Sequence, residues 1–219
     1  MNPSTAAVPS LPSVHLVDDE APVRDALAFL LQSHGLAVCS YASGPEFLAH
    51  SSHQTLRGCM VLDVRMEPMS GLQLYDELRL RGVWLPVLFL SGHGDIPMAV
   101  DALQKGAVDF LEKPFSGDHL VQRVKRALAL ESEHFSQLLA QAQTTERLQA
   151  LTDRERAVMR LVAAGKLNKV IADELCIAVR TVEVHRSRVF EKLQVRSAAE
   201  LATLLAGLTG KPLTPPHDL

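Results

Sequence analysis

The sequence predicts an α/β domain, a doubly wound five-stranded parallel sheet, followed by an all-α helix-turn-helix domain. Three observations predict it. Five short apolar runs alternate with stretches of helical spacing through the first 130 residues, and that alternation builds a parallel sheet covered on both faces. Asp18, Asp19, Asp63, Ser91 and Lys113 fall just past the carboxyl ends of four of these runs, the edge at which open α/β sheets bind ligands. From residue 151 onward only helical spacing remains, with two helices joined by a tight turn.

Each element has its own signal. Residues 14–17 form an apolar strand running into Asp18-Asp19-Glu20. Helical spacing of Val23, Ala26, Leu27, Leu30 and Leu31 then predicts a helix over 21–33, with Pro22 in its first turn and Gly35 as its stop. Residues 36–41 read as the second strand, and Ser43 caps a short helix through His50. The third strand, 59–63, ends on Asp63 and leads through a loop to a helix from Ser70-Gly71 to about Arg81. Residues 86–90 are the fourth strand, 97–105 a helix, 107–111 the fifth strand, and a last helix begins near Ser116.

Composition sets the bounds. The chain is 47% hydrophobic and 21% charged, which is globular rather than disordered. No apolar run approaches the ~20 residues of a membrane helix. The Pro-rich first dozen residues lack the pattern of a secretory signal and read as a disordered leader over 1–12. Three cysteines without CxxC spacing suit free thiols in a reducing cytoplasm, with Cys39 and Cys59 expected as buried structural thiols. The nine histidines show no metal-ligand spacing. Charge divides unevenly: residues 1–131 carry 10 basic and 15 acidic side chains, residues 151–219 carry 11 and 8. A basic second half suits a polyanionic partner.

Three carboxylates drawn together at one sheet edge repel one another, and a hard divalent cation relieves this. Mg²⁺ takes one or two carboxylates with waters and phosphate oxygens. With Lys113 and the Ser91 hydroxyl beside them, the set is a site for phosphoryl transfer, Asp63 acting as nucleophile.

The residues carrying these features, Asp18-Asp19, VLDVRM around Asp63, SGHGDIP from Ser91 and DFLEKPF from Asp109, resemble the receiver domain of two-component response regulators, the FixJ branch in particular, over 13–130. The resemblance implies that Asp63 accepts phosphate from a sensor histidine kinase. It implies Mg²⁺ held by Asp19, Asp63 and the backbone carbonyl of Arg65, with Asp18 assisting through water. Lys113 would pair with the phosphate, and Lys113-Pro114 would be cis. Ser91 would move to bond the phosphoryl oxygens while Phe110 swings inward, a two-state switch biased by charge at Asp63. Three positions depart from the family or tune it. Glu67 stands where the family usually has Pro, with Pro68 next, which adds a carboxylate near the metal; an exposed Glu67 is the plain alternative. Arg65 and His93 hold positions that flank the path of hydrolytic water, with exposed loop side chains as the alternative.

Helical spacing continues without Pro or Gly through Ala150, through Phe135, Leu138, Leu139, Ala142 and Leu148. Residues 131–150 are therefore expected as a helical linker, either a short coiled coil with a second copy or a plain spacer. Thr152 with Glu155 is a capping box. Helices are expected from there to Gly165, over 168–175 with Val170, Ile171 and Leu175 inward, over 180–193, and from Ser197 to about 205. On the third of these, Val182, Val189 and Leu193 recur on the core side, with His185. Glu183, Val184, Ser187, Arg188 and Glu191 face outward. Arg180, Arg186, Arg188 and Lys192 make the helix basic.

The motifs LTDRER, NKVIADEL and RTVEVHRSRVFEKL resemble the LuxR-type (NarL/FixJ) DNA-binding domain over 151–207. The resemblance implies that Glu183, Val184 and Ser187 face bases and that Lys169, Arg180, Thr181 and Arg188 contact phosphates. Residues 198–205 would be the dimer surface on DNA. Cys176 stands where the family usually has Gly or Asn in the turn, and Ala178-Val179 replace polar residues. Residues 208–219 read as a disordered tail.

The combined expectation is a cytoplasmic transcription regulator, not an enzyme but a phosphoacceptor that assists its own phosphorylation and dephosphorylation. Its partners would be a histidine kinase, double-stranded DNA and a second copy of itself, with no membrane; RNA polymerase is a further partner such a regulator can meet. Phosphate would drive dimerisation through the face around 95–112, or relieve inhibition between the domains. The alternatives are a phosphorylation-independent DNA-binding regulator, an accessory phosphate sink, and a metal-dependent phosphatase. The last leaves residues 151–207 unexplained and lacks a second catalytic acid beside Asp63.

Overall fold

The computed structural model describes residues 11–50, 56–92 and 96–209. The chain divides into two compact units at residues 135 and 136.

The first unit holds β1 (Ser13–Val17), α1 (Ala21–Ser33), β2 (Val38–Tyr41), α2 (Gly44–His50), β3 (Gly58–Asp63), α3 (Gly71–Leu80), β4 (Val87–Ser91), α4 (Ile96–Gln104), β5 (Asp109–Glu112) and the start of α5 (Gly117–Gln149). The strands are parallel in the order β2-β1-β3-β4-β5. Side-chain alternation sorts β3 into two faces. Met60 and Leu62 pack with Phe47, Leu74, Leu78 and Phe89. Cys59 and Val61 pack with Leu27, Leu31, Leu120 and Val124. Thus α1 and α5 cover one face of the sheet, and α2 to α4 the other. Chain direction reverses its march across the sheet between β1 and β3, so the switch-point crevice opens above Asp18 and Asp63.

Gly58 begins β3 at φ +117, and a Cβ there would stand 1.8 Å from the Ser13 carbonyl oxygen. No other residue permits this approach of β3 to β1. The Ser43 hydroxyl accepts the Glu46 N–H at 3.3 Å, and Ser70 with Gln73 forms a full capping box on α3.

Several details differ from the sequence expectation. β2 starts at Val38 because Leu36 is still tied to α1, its N–H donating to the Leu31 carbonyl. β5 starts at Asp109 because the Ala107 N–H closes the end of α4 on Ala102. Cys39 is exposed, not buried, since β2 is an edge strand; Cys59 is buried in the central strand, and burial pushes its thiol up to about 12. The packing of the first unit continues past residue 130. Glu131 is 3% exposed and ion-paired with Arg57. The Arg57 guanidinium lies 3.3 Å from the Phe135 ring centroid, and His134 stacks on Trp84 at 3.7 Å. Beyond residue 130 these polar and aromatic contacts carry the packing to 135.

The second unit contains the end of α5, then α6 (Asp153–Ala163), α7 (Asn168–Leu175), α8 (Val179–Leu193) and α9 (Ala198–Thr209). Its core joins Val158, Val162, Ile171, Val182, Val189, Leu193 and Leu201. The capping box of Thr152 and Glu155 is present. Cys176 ends α7 in the left-handed conformation, φ 52 and ψ 47, so the turn keeps the geometry for which Gly or Asn is usual. Val170 is 42% exposed, not inward, because Ile171 and Ala172 take the core side of α7. Among the described residues no helix is long and apolar enough to cross a membrane. The expected leader lies mostly outside the described residues, as do His93 and the tail from 210.

Candidate functional site

β1 and β3 deliver Asp18 and Asp63 side by side at the carboxyl edge of the sheet. Asp63 is 8% exposed. Its Oδ2 accepts the Arg65 N–H at 2.9 Å, and its Oδ1 accepts a bond from Lys113 Nζ at 2.6 Å. The same ammonium donates to Asp18 Oδ2 at 3.5 Å. Lys113 arrives from the end of β5, its N–H donating to the Ser91 carbonyl. The Lys113-Pro114 and Glu67-Pro68 peptides are cis. Beyond Asp63 the chain turns so closely that a Cβ on Gly71 would stand 2.2 Å from the Asp63 carbonyl oxygen.

Asp18 is 1% exposed. Burial raises its pKa and the Asp63 charge adds to this, while Lys113 and the Glu20 N–H oppose it. Burial works against the charge on Lys113, but the hydrogen bond and charge of Asp63, with Asp18, outweigh it and raise its pKa. Two buried carboxylates therefore share one ammonium.

Asp19 is exposed on the β1–α1 loop, and its Oδ2 accepts the Glu67 N–H at 3.3 Å. Glu67 and Arg65 are exposed. Ser91 is buried at the end of β4, next to β3, and its hydroxyl donates to the Gly92 carbonyl at 2.9 Å. Phe110 is half-buried on β5, its ring 6.3 Å from Phe89. The fold thus brings Asp18, Asp63 and Lys113 into contact. Asp19 stands beside them, Ser91 is one strand away and Phe110 two.

The oxygen donors of Asp18, Asp19 and Asp63 fit a hard divalent cation. Among the described residues no three side chains form a ready cage. A residue that sequence reading missed also touches this site: Arg24 Nη1 donates to the Asp18 carbonyl at 2.7 Å. Its signal is a basic residue in the second turn of a helix that follows an acidic run.

In the second unit, Thr181, Glu183, Val184, Ser187 and Arg188 are exposed along one side of α8, and Lys169 is exposed on α7. Arg180 is exposed and pairs with Glu183 at 3.1 Å. The other two basic residues of α8 turn inward. Arg186 donates to Asn168 Oδ1 at 3.0 Å and lies over Phe190. Lys192 bonds Glu155 at 2.7 Å and the Ala150 carbonyl at 3.1 Å. On α9, Leu201 belongs to the unit's own core and Ala198, Leu204 and Leu205 pack against it, while Ala199, Glu200 and Thr203 are exposed.

Residues 14–125 match the family described as response regulator receiver domain. Residues 149–205 match the family described as bacterial regulatory proteins, luxR family. The C4-dicarboxylate transport transcriptional regulatory protein DctR of Rhodobacter capsulatus is 46% identical over 194 residues, 88% of this chain and 98% of that protein. The transcriptional regulatory protein FixJ of Azorhizobium caulinodans is 44% identical over 201 residues, 91% of this chain and 94% of its own. Among solved structures, the response regulator StyR superposes with a TM-score of 0.82 at 40% identity, covering 90% of this chain and 99% of its own. Full-length FixJ from B. japonicum gives 0.56 at 37% identity, with 90% and 97% covered.

Proposed function

This chain belongs to the NarL/FixJ family of two-component response regulators, with a LuxR-type DNA-binding domain that serves transcription regulation, and from that premise we propose that Asp63 is its phosphoacceptor. A receiver of this family implies a sensor kinase as partner. The Asp63 carboxylate oxygen attacks the phosphorus of the kinase phosphohistidine. The P–N bond breaks, its electron pair stays on the imidazole, and an acyl phosphate forms. Water later returns the carboxylate and inorganic phosphate. The observation that carries this reading is the Lys113 ammonium, 2.6 Å from Asp63 Oδ1 beside buried Asp18.

Asp19, Asp63 and the Arg65 carbonyl would hold Mg²⁺, with Asp18 assisting; the ion, when bound, offsets charge on the phosphoryl oxygens. Lys113 stays charged at neutral pH, because Asp63 and Asp18 face it, and pairs with the incoming phosphoryl group. Ser91 turns from the Gly92 carbonyl to a phosphoryl oxygen, and Phe110 swings inward behind it. The added charge at Asp63 biases this two-state element toward a dimer formed through the face around 95–112. Two second units then reach a two-fold DNA site, joined through the outer side of α9. Glu183, Val184 and Ser187 face base edges, while Lys169, Arg180, Thr181 and Arg188 hold phosphates. Both kinase and DNA are met in the cytoplasm, and RNA polymerase is the contact through which the bound dimer would act.

The test is mass in solution with Mg²⁺, before and after beryllofluoride, with Asp63→Asn as control. A monomer-to-dimer shift in wild type alone is the expected result. The same mass in all samples sinks phosphate-driven dimerisation.

A further inference from the structure

We propose that Arg24 is a positioning residue for the phosphoacceptor site: by bonding the Asp18 carbonyl it fixes the peptide plane between Asp18 and Asp19, and so sets the direction in which Asp19 meets a divalent cation. The inference rests on the reading of the site given above and extends it to a side chain outside the acidic set.

Every polar group of Asp18 is engaged. Its N–H donates to the Tyr41 carbonyl at 3.3 Å. Its Oδ1 accepts the Glu20 N–H at 2.9 Å, and its Oδ2 faces Lys113. The carbonyl accepts Arg24 Nη1 at 2.7 Å, the shortest of these contacts and one made by a charged donor. Such bonds are roughly twice as strong as neutral ones. The Asp18 carbonyl and the Asp19 amide lie in one plane. Holding that oxygen therefore sets the orientation from which the Asp19 side chain departs.

Asp19 needs this support more than its neighbours do. It is exposed, and its own contact is the 3.3 Å bond from Glu67 N–H. An exposed carboxylate loses freedom when a cation orders it, and a loop already fixed in place lowers that cost. The start of α1 supplies part of the constraint, through the Glu20 N–H bond to Asp18 Oδ1, but Glu20 at its N-cap makes no side-chain cap bond. Arg24 supplies the rest from the next turn: its backbone N–H donates to Glu20 at 2.9 Å while its guanidinium reaches back to Asp18. Being a cation, Arg24 has no place in the shell of a metal ion and acts through Asp18 and Asp19.

The experiment compares the full chain with Arg24→Met, which keeps the stem and loses the donor, and Arg24→Lys, which keeps a charged donor. The probe is Mn²⁺ alone, with free ion read by electron paramagnetic resonance. Arg24→Met is expected to weaken Mn²⁺ binding roughly 10-fold, the scale on which outer partners of metal ligands act, and Arg24→Lys to recover most of it. In phosphorylation by acetyl phosphate, the half-saturating Mg²⁺ concentration should rise by a similar factor in Arg24→Met, while the rate at saturating Mg²⁺ stays within about twofold. Unchanged Mn²⁺ affinity in Arg24→Met, or a loss confined to the rate at saturating Mg²⁺, overturns the proposal. If Arg24→Met fails to fold, Arg24→Lys decides: near wild-type affinity supports the proposal, and roughly tenfold loss despite the retained donor overturns it. Wild type that takes up no Mn²⁺ at all overturns the underlying reading of the site instead.

Discussion

His15 is a single side chain whose position makes a solution property predictable. It is 5% exposed on β1, with Tyr41 and Phe47 rings at 6.2 and 5.8 Å. Its Nε2 is bonded to the Arg57 carbonyl at 3.2 Å, and its Nδ1 is buried without a partner among the described residues. Burial pulls its pKa below the ordinary 6.5, with the Arg57 carbonyl opposing. A base held neutral in the folded state binds fewer protons than in the unfolded chain. Stability is therefore present above pH 6.5 and falls as pH drops below it. Urea midpoints of the first unit should decline from pH 7.5 towards about 5.5, and His15→Phe should flatten that decline. An equally steep decline in the variant would assign it to other groups.

At the scale of elements, α5 and α8 are held by polar contacts rather than by apolar stripes alone. Arg57 and Glu131 are 12% and 4% exposed at the side chain, so each depends on the other. Glu131→Ala should cost the first unit about 3 kcal/mol, because it strands a buried guanidinium, whereas Arg57→Met with Glu131→Leu should be nearly neutral. Equilibrium unfolding of both variants checks this; equal losses would mean that the pair itself stabilises the fold. In the second unit Lys192 ties α8 to Glu155 on α6. The Lys192 bond, then the Thr152 N–H, pull Glu155 from 4.5 to about 2. A depressed carboxylate stabilises above its unfolded value and loses this as pH falls through the folded one. The second unit should thus lose stability between pH 4.5 and about 2, and Lys192→Met should remove most of that dependence. At pH 7 the same variant should cost about 1–2 kcal/mol, a figure reduced because the ammonium is partly exposed.

For the whole molecule, the balance of 11 basic to 8 acidic side chains in residues 151–219 does not say which charges face DNA, since the structure sorts those residues by job. Arg180 and Arg188 lie on the outer side of α8, while Arg186 and Lys192 bond within the unit. Affinity for a DNA site should fall steeply with salt. Arg188→Ala should lower the slope of log K against log salt by about 1 per protomer. Lys192→Met should leave the slope unchanged, although it removes the same charge. Equal slope changes in fluorescence anisotropy titrations would mean that charge count, and not placement, governs binding.

Much of this architecture was legible in the chain itself. The alternation of strand and helix patterns, the acidic residues after the first and third strands, and the capping boxes at Ser70 and Thr152 are local signals, since each depends on residues within one turn or one strand. The edges of β2 and β5 were not, because hydrogen bonds closing the preceding helices end beyond the apolar runs. The exposure of Cys39 followed from strand order, which no single strand encodes. Burial of Glu131 and the inward turn of Lys192 came from partners 74 and 37 residues away. Arg24 likewise has meaning only once α1 folds back over the end of β1. The sequence by itself determined the fold class and the residues gathered at the sheet edge, because periodicity and chain direction decide both. Only the tertiary structure decided which charged groups face water and which are bound, because that depends on geometry between segments distant in the chain.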